Sequence, residues 1–123
     1  VSQNLADRSL SGKTIVITGG TLGIGLSAAL ELRRAGAQVV ITGRSEKSAT
    51  QAVSLGCQFI RADYARLADV RKLAATLLEK YPRIDVLANN VGGVMNERRV
   101  TEDGHELTFQ VNHLAGFLLT HLL

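Results

Sequence analysis

The stretch Lys13–Leu26, KTIVITGGTLGIGL, limits what this chain can fold into more than any other. Thr14, Ile15, Val16 and Ile17 favour extended structure and run directly into Thr18-Gly19-Gly20-Thr21-Leu22-Gly23-Ile24-Gly25. A helix-forming run, Leu26 to Ala35, follows at once. A buried strand therefore ends in a glycine-rich turn that opens a helix. A helix start presents backbone N–H groups without internal partners, together with the positive end of the helix dipole. Glycines let the chain bend sharply there and admit a diphosphate without a Cβ in the way.

The rest of the chain repeats this plan without sequence repeats or low-complexity stretches. Gly36 is placed to stop the first helix. Gln38–Thr42 is a second apolar strand, and Ser45 can cap a short helix over Glu46–Leu55 that Gly56 ends. Cys57–Ile60 is a third strand. Leu67, Val70, Leu73, Ala74, Leu77 and Leu78 recur at helical spacing over Leu67–Lys80, a helix that Pro82, the only proline, closes. Ile84–Ala88 is a fourth strand. The last helix is expected to be capped by Asp103, with Glu106 three residues on. Its apolar seam is expected along Leu107, Val111, Leu114, Leu118 and Leu122. Alternating strands and helices with right-handed crossovers give an α/β fold. The expectation is a doubly wound, Rossmann-type parallel sheet in three α/β/α layers, with residues 1–12 as a leader. Ligands of such sheets lie at the carboxyl ends of the strands, where every glycine and polar cluster of this chain falls.

Length and composition agree with one domain, residues 1–123, and exclude several partners. The net charge of +3 comes from scattered basic residues, and only 4% of residues are aromatic, so no nucleic-acid face is indicated. No apolar run is long enough for a membrane span. The lone Cys57 has no partner for an internal disulfide and fits a reducing compartment. The start of the chain carries no apolar signal-peptide core, and a cytoplasmic location is expected. His105, His113 and His121 are spaced by eight along the last helix and lack acidic or thiol partners, so no metal site is expected.

The position after the second strand often carries an acid that holds a ribose 2′-OH. Here Gly43 and Arg44 occupy it. An arginine beside an open glycine suits a 2′-phosphate, because its planar fork binds phosphate through two hydrogen bonds. A solvated surface arginine is the plainer alternative. NADP(H) is favoured on this basis, with NAD(H) possible.

The spacing Thr-Gly, three residues, Gly-Ile-Gly resembles the TGxxxGIG signature of classical short-chain dehydrogenases/reductases, and the resemblance runs from Gly12 to Leu123. It implies cofactor contacts for Thr18, Gly19, Gly20, Thr21, Leu22, Gly23, Ile24 and Gly25. It places Asp63, followed by Tyr64, near the adenine amino group, although Asp63 also suits a simple turn. Asn89-Asn90-Val91-Gly92 resembles the family's NNAG motif, with Val91 in place of alanine. Asn112, within VNHLAGFLLT, resembles the family's catalytic asparagine, which helps position a water in a proton relay. An asparagine in mid-helix otherwise calls for a bend with a satisfied amide. Thr101–Leu123 looks most like the retinol-dehydrogenase-like branch. The resemblance implies an oxidoreductase of alcohols or carbonyls that self-associates near the last helix.

The family's catalytic serine and Tyr-x-x-x-Lys pair are not found in this sequence. Four residues after Tyr64 stands Ala68, and four after Tyr81 stands Asp85. The chain is expected to be the cofactor-binding part of a reductase, truncated after about four βα units. The alternative is a non-catalytic nucleotide-binding module ending at Leu123. A positioned general acid contributes about 10²–10⁴-fold to protonating the alkoxide that hydride transfer leaves. The 123-residue chain is therefore expected to consume no NADPH with aldehydes, ketones or quinones. Turnover that survives repurification and disappears in Asn112→Ala would place the machinery elsewhere.

Overall fold

The computed structural model describes residues 9–123. The expected leader lies outside the described residues up to position 8. In chain order the elements are β1 (Thr14–Thr18), α1 (Gly23–Arg34), β2 (Gln38–Gly43), α2 (Glu46–Ser54), β3 (Gln58–Arg61), α3 (Leu67–Lys80), β4 (Val86–Ala88), α4 (Leu107–Phe109), a π-helical turn (Gln110–Leu114) and α5 (Ala115–Leu122). They divide into two compact units. One comprises residues 9–61 with Arg83–Asn90; the other comprises Ala62–Pro82 with Val91–Leu123. Among the described residues no helix is long and apolar enough to cross a membrane.

The first unit holds the sheet. All strands are parallel, in the order β3-β2-β1-β4. The chain builds outward from β1 to β3 and then returns to the free side of β1. That reversal makes this the doubly wound, Rossmann-type arrangement, and it puts the switch point at the carboxyl end of β1. Ile15, Ile17, Val39 and Ile41 share one face, in register across β1 and β2, and form the core with Ala29 of α1 and Ala52 of α2. The small Ala29 and Ala52 let the helix axes come close to the sheet. Val16 and Val40 alternate to the opposite face and are fully buried too. Each such side chain contributes roughly 1.5–3 kcal/mol by leaving water. This is why both strands read as unbroken apolar runs.

Helix ends explain where the strands begin. Gly36 and Gly56 close α1 and α2 in the same way. The Gly36 N–H donates to the Arg33 carbonyl and the Ala37 N–H to Leu32; Gly56 and Cys57 repeat the pair toward Val53 and Ala52. Because the Cys57 N–H is used in this cap, β3 starts at Gln58 rather than at the expected Cys57. Helix α1 starts at Gly23, three residues before its expected start at Leu26, because the Leu22 carbonyl already accepts the Leu26 N–H. β4 starts at Val86, not Ile84. Asp85 takes the Thr14 N–H on its carboxylate at 2.9 Å and so ends the ladder there. Leu10 packs on the core and donates to the Ala35 carbonyl, so the segment before β1 is joined to the fold from that point.

The second unit is helical. α3 matches its expected span and buries Val70, Leu73, Ala74 and Leu77, while Leu78 is 55% exposed and lies outside the seam. α3 packs against α5. The last helix departs from expectation in two ways. Glu106, not Asp103, caps it, accepting from the Thr108 and Phe109 N–H groups at 2.9 Å each. The Asp103 carboxylate instead accepts the Leu67 N–H at the start of α3. The helix then widens into the π turn, so the buried stripe runs Gln110, Ala115, Leu119, with a step of five before a step of four. The expected leucine seam is only partly buried because this extra residue rotates it away.

Two carboxylates make the fold sensitive to acid. Asp85 is held below its ordinary value by the Thr14 N–H, aided by Arg83 and Lys13 against partial desolvation. Glu106 is lowered by the Phe109 and Thr108 N–H groups. Their unfolded values, 3.8 and 4.5, lie above the folded ones. The stabilisation is therefore present above those values and is lost as pH falls through the lower, folded ones. Urea midpoints measured from about pH 6 down to about pH 2.5 are expected to fall, and the variant Asp85→Asn with Glu106→Gln to flatten the acid limb. An unchanged slope in that variant would remove these two groups from the explanation.

Candidate cofactor-binding site

The turn after β1 is built by the chain's own hydrogen bonds. The Gly19 N–H donates to the Thr42 carbonyl at 3.1 Å and approaches the Thr42 hydroxyl at 3.3 Å, which ties the turn to β2. From the other side, Asn90 at the end of β4 donates its N–H to Thr18 Oγ1 at 2.9 Å. Its side-chain Nδ2 donates to the carbonyls of Thr18 (3.0 Å) and Gly19 (3.2 Å). The Thr18 hydroxyl in turn donates to the Ala88 carbonyl. Gly19 and Gly23 adopt φ of 70° and 56°, a region that L side chains avoid. Gly25 is bare for a different reason. A Cβ there would stand 2.6 Å from Asn90 Nδ2 and 3.0 Å from the Gly20 Cα. The protein itself occupies the space at Gly25, so this glycine serves the turn's own closure as well as any ligand approach.

The start of α1 is electrostatically unlike the starts of α2, α3 and α4. Ser45 Oγ accepts the Ser48 N–H at the start of α2, and Glu46 lies in its first turn. Asp103 and Asp69 serve α3, and Glu106 serves α4. At α1 no side chain caps the helix and its first turn holds no acid. Leu22 and Ile24 beside it are 75% and 84% exposed. An uncapped helix start with N–H groups open to solvent attracts anions and disfavours cations. Thr21 is buried, its hydroxyl 3.5 Å from Ser48 Oγ.

At the end of β2 the glycine proves tightly packed. A Cβ on Gly43 would meet Ser48 Cβ at 2.9 Å and the Phe59 ring at 3.0 Å. The open glycine expected from the sequence is thus corrected: the side-chain space at 43 is filled by Ser48 and Phe59. Arg44 is exposed and forms no ion pair among the described residues. Asn89 is exposed at the end of β4.

The remaining sequence candidates belong to the second unit. Asp63 serves a turn: its Oδ1 accepts the Ala65 N–H at 2.9 Å, and its own N–H donates to Asp69 Oδ2. Tyr64 is buried and its carbonyl accepts from Gln110 Nε2. Val91 is half-buried and Gly92 exposed. Asn112 sits in the π turn, with Oδ1 accepting from the Gly93 N–H and Nδ2 donating to the Gly93 carbonyl, both at 2.8 Å. The bend and the satisfied amide that its mid-helix position called for are both present. Gln110 was not singled out by the sequence, yet it is fully buried. It donates to the Tyr64 carbonyl and Asp103 Oδ2 and accepts from the Thr101 hydroxyl at 2.7 Å. Only the five-residue step from Gln110 to Ala115 could have signalled it. His113 stacks on Phe109 and lies tilted against Phe117 on an exposed face. No group of three His, Cys, Asp or Glu among the described residues is placed to hold a metal ion.

A family profile described as short chain dehydrogenase matches residues 13–123. The chain belongs to that family. Among curated relatives, a Streptomyces sp. (strain C5) protein with the provisional name daunorubicin C-13 ketoreductase is 49% identical over 121 residues, covering 93% of this chain and 42% of its own. Retinol dehydrogenase 13 of Homo sapiens is 38% identical, covering 94% and 37%. Among solved structures, Pseudomonas aeruginosa RhlG in an NADP active-site complex superposes with a TM-score of 0.79 at 34% identity, covering 99% of this chain and 50% of that one. This short-chain dehydrogenase chain thus spans half or less of the length of these relatives. The likeness to the retinol-dehydrogenase-like branch and the Rossmann-type fold are both shown.

The Gly25–Asn90 contact in this short-chain dehydrogenase can be measured. Gly25→Ala is expected to cost about 1–3 kcal/mol by overpacking the turn. In an Asn90→Ala background, where the 2.6 Å clash is gone, its cost should fall by at least about 0.5 kcal/mol, read from urea midpoints. Additivity of the two substitutions would show that Asn90 does not set the limit at Gly25.

Proposed function

We propose that this chain is the cofactor-binding part of an NADP(H)-dependent oxidoreductase acting on alcohols or carbonyls. The observation that carries this reading is the uncapped, acid-free start of α1 at the switch point of the sheet, inside a family of nicotinamide-dinucleotide oxidoreductases. In the first unit, Thr18 to Gly25 would receive the diphosphate on backbone N–H groups, with Leu22 and Ile24 flanking it. Asn90 holds the turn from β4, and the adjacent Asn89 belongs to the same reading. A 2′-phosphate would meet Arg44, whose guanidinium is engaged by no carboxylate among the described residues. Position 43 has no space for the acid that a ribose 2′-OH prefers. The NADP complex of RhlG supports the choice of cofactor by analogy.

In the second unit, Asp63 keeps Oδ2 for an exocyclic amine while Oδ1 holds its turn. Tyr64, Val91 and Gly92 belong to the same reading, as does Asn112, which fixes the Gly92–Gly93 segment and could orient a water. A bound nicotinamide supplies the hydride. Neither Tyr64 nor Tyr81 carries the lysine partner that would make it the proton donor. Burial pushes the Cys57 thiol up against the opposing charge of Arg33, and a lone buried free cysteine fits a cytoplasmic setting. The exposed Phe109–His113–Phe117 face is where self-association would occur.

Titration of NADPH and NADH into the full-length protein tests the reading. Arg44→Ala is expected to weaken NADPH by about 1–3 kcal/mol, the scale of a lost charged hydrogen bond, and to leave NADH nearly unchanged. Sedimentation of the same preparation reads the self-association. A wild type that prefers NADH would refute the cofactor assignment.

A further inference from the structure

A 2′-phosphate and a 2′-hydroxyl make opposite demands on the carboxyl end of β2. The phosphate is repelled by a nearby carboxylate, whereas the hydroxyl donates to one. The segment Thr42–Ala49 reads TGRSEKSA and contains one carboxylate, Glu46. Position 43 cannot supply a second, since Ser48 and Phe59 fill its side-chain space. Whichever ribose form is accepted here, Glu46 is the acid within this segment that can discriminate.

Glu46 is not free. It lies in the first turn of α2, and its Oε1 accepts from the Arg61 guanidinium. Arg61 ends β3 and is the register partner of Gly43 on β2, so the arginine is delivered to this corner by the sheet itself. The pair is open to water, with side chains 55% and 88% exposed. Such a pair is worth little for stability. Its effect is on where a charge points. With Arg61 present, the Glu46 carboxylate is directed toward β3 and its charge is partly offset there.

We propose that the Arg61–Glu46 pair is a determinant of cofactor preference, and that Arg61 favours the 2′-phosphate by engaging Glu46 rather than by touching the cofactor. This rests on the NADP(H) reading above. It assigns a specificity role to two residues outside the glycine turn and outside Gly43-Arg44.

Affinities of NADPH and NADH for the full-length protein, measured by fluorescence titration at low salt, test it. Arg61→Gln is expected to weaken NADPH about two- to five-fold, the range set by an exposed ion pair, without weakening NADH. Glu46→Gln is expected to tighten NADPH by a similar factor. The double variant should match Glu46→Gln, because Arg61 has no carboxylate charge left to offset. All three differences should shrink at about 0.5 M salt. Further loss of NADPH affinity on Arg61→Gln in the Glu46→Gln background would overturn the proposal, by making Arg61 a direct phosphate ligand. An unchanged NADPH-to-NADH ratio in both single variants would also overturn it. Arg44→Ala in the same series separates the two levels. If it too leaves the ratio unchanged, the 2′-phosphate reading itself fails; if it alone lowers the ratio, only the Arg61–Glu46 inference fails.

Discussion

The carboxamide of Asn90 is the interaction on which the candidate site depends. It reaches from the end of β4 to two successive carbonyls of the β1 turn, while the Asn90 backbone N–H donates to the Thr18 hydroxyl oxygen. Three hydrogen bonds from one residue, each worth about 0.5–1.5 kcal/mol net, fix the turn in one conformation. The cost is steric: the same side chain occupies the space that a Cβ at Gly25 would need. A glycine that looks like an accommodation to a ligand is therefore equally an accommodation to the protein's own scaffold. A preorganised turn loses little conformational freedom when an anion arrives, which is how rigidity becomes affinity.

Electrostatics distinguishes α1 from its neighbours. The chain uses Ser45, Asp103, Asp69, Glu46 and Glu106 to satisfy or complement the starts of α2, α3 and α4. At α1 it places no such group, and exposed Leu22 and Ile24 flank that helix start. Acceptor oxygens at the starts of α2, α3 and α4, and none at α1, leave the positive end of α1 uncompensated where the strand order reverses. The sheet supplies position, the helix supplies field, and neither requires a charged side chain in the turn.

How far this could be read beforehand follows from what each residue type advertises. The span of α3 was legible because Val70, Leu73, Ala74 and Leu77 repeat at helical spacing and Pro82 ends the pattern. β1 and β2 were legible because strands buried on both faces are apolar throughout. The strand starts were misjudged by a residue or two because backbone groups of Cys57 and Thr14 are taken by a helix cap and a carboxylate, which no periodicity reports. The capping of the last helix was assigned to Asp103 because Ser, Thr, Asp and Asn are the usual caps, and the tertiary demand of Leu67 for that carboxylate is invisible in sequence. Gln110 escaped notice because a buried glutamine looks like a surface residue until folding brings its partners to it: Thr101 and Asp103 from the preceding loop and Tyr64 from 46 residues away. Gly43 was read as empty space, when Ser48 and Phe59 had already filled it.

The π turn at Gln110–Leu114 has a consequence for the length of the chain rather than its composition. A π turn holds one residue more than the α turn it replaces. Here the extra residue separates two anchored points, the Gln110 carboxamide in its buried network and Ala115 at the packed start of α5, with Asn112 clasping Gly93 between them. Removing any single residue from this stretch would let the helix relax to regular winding and swing either Gln110 or Asn112 about 100° off its partners. Side chains along the outer face of the turn can vary, as the exposure of His113 allows. The count of residues between the anchors cannot. In this part of the molecule spacing, more than identity, is what any related chain with the same two anchors must keep.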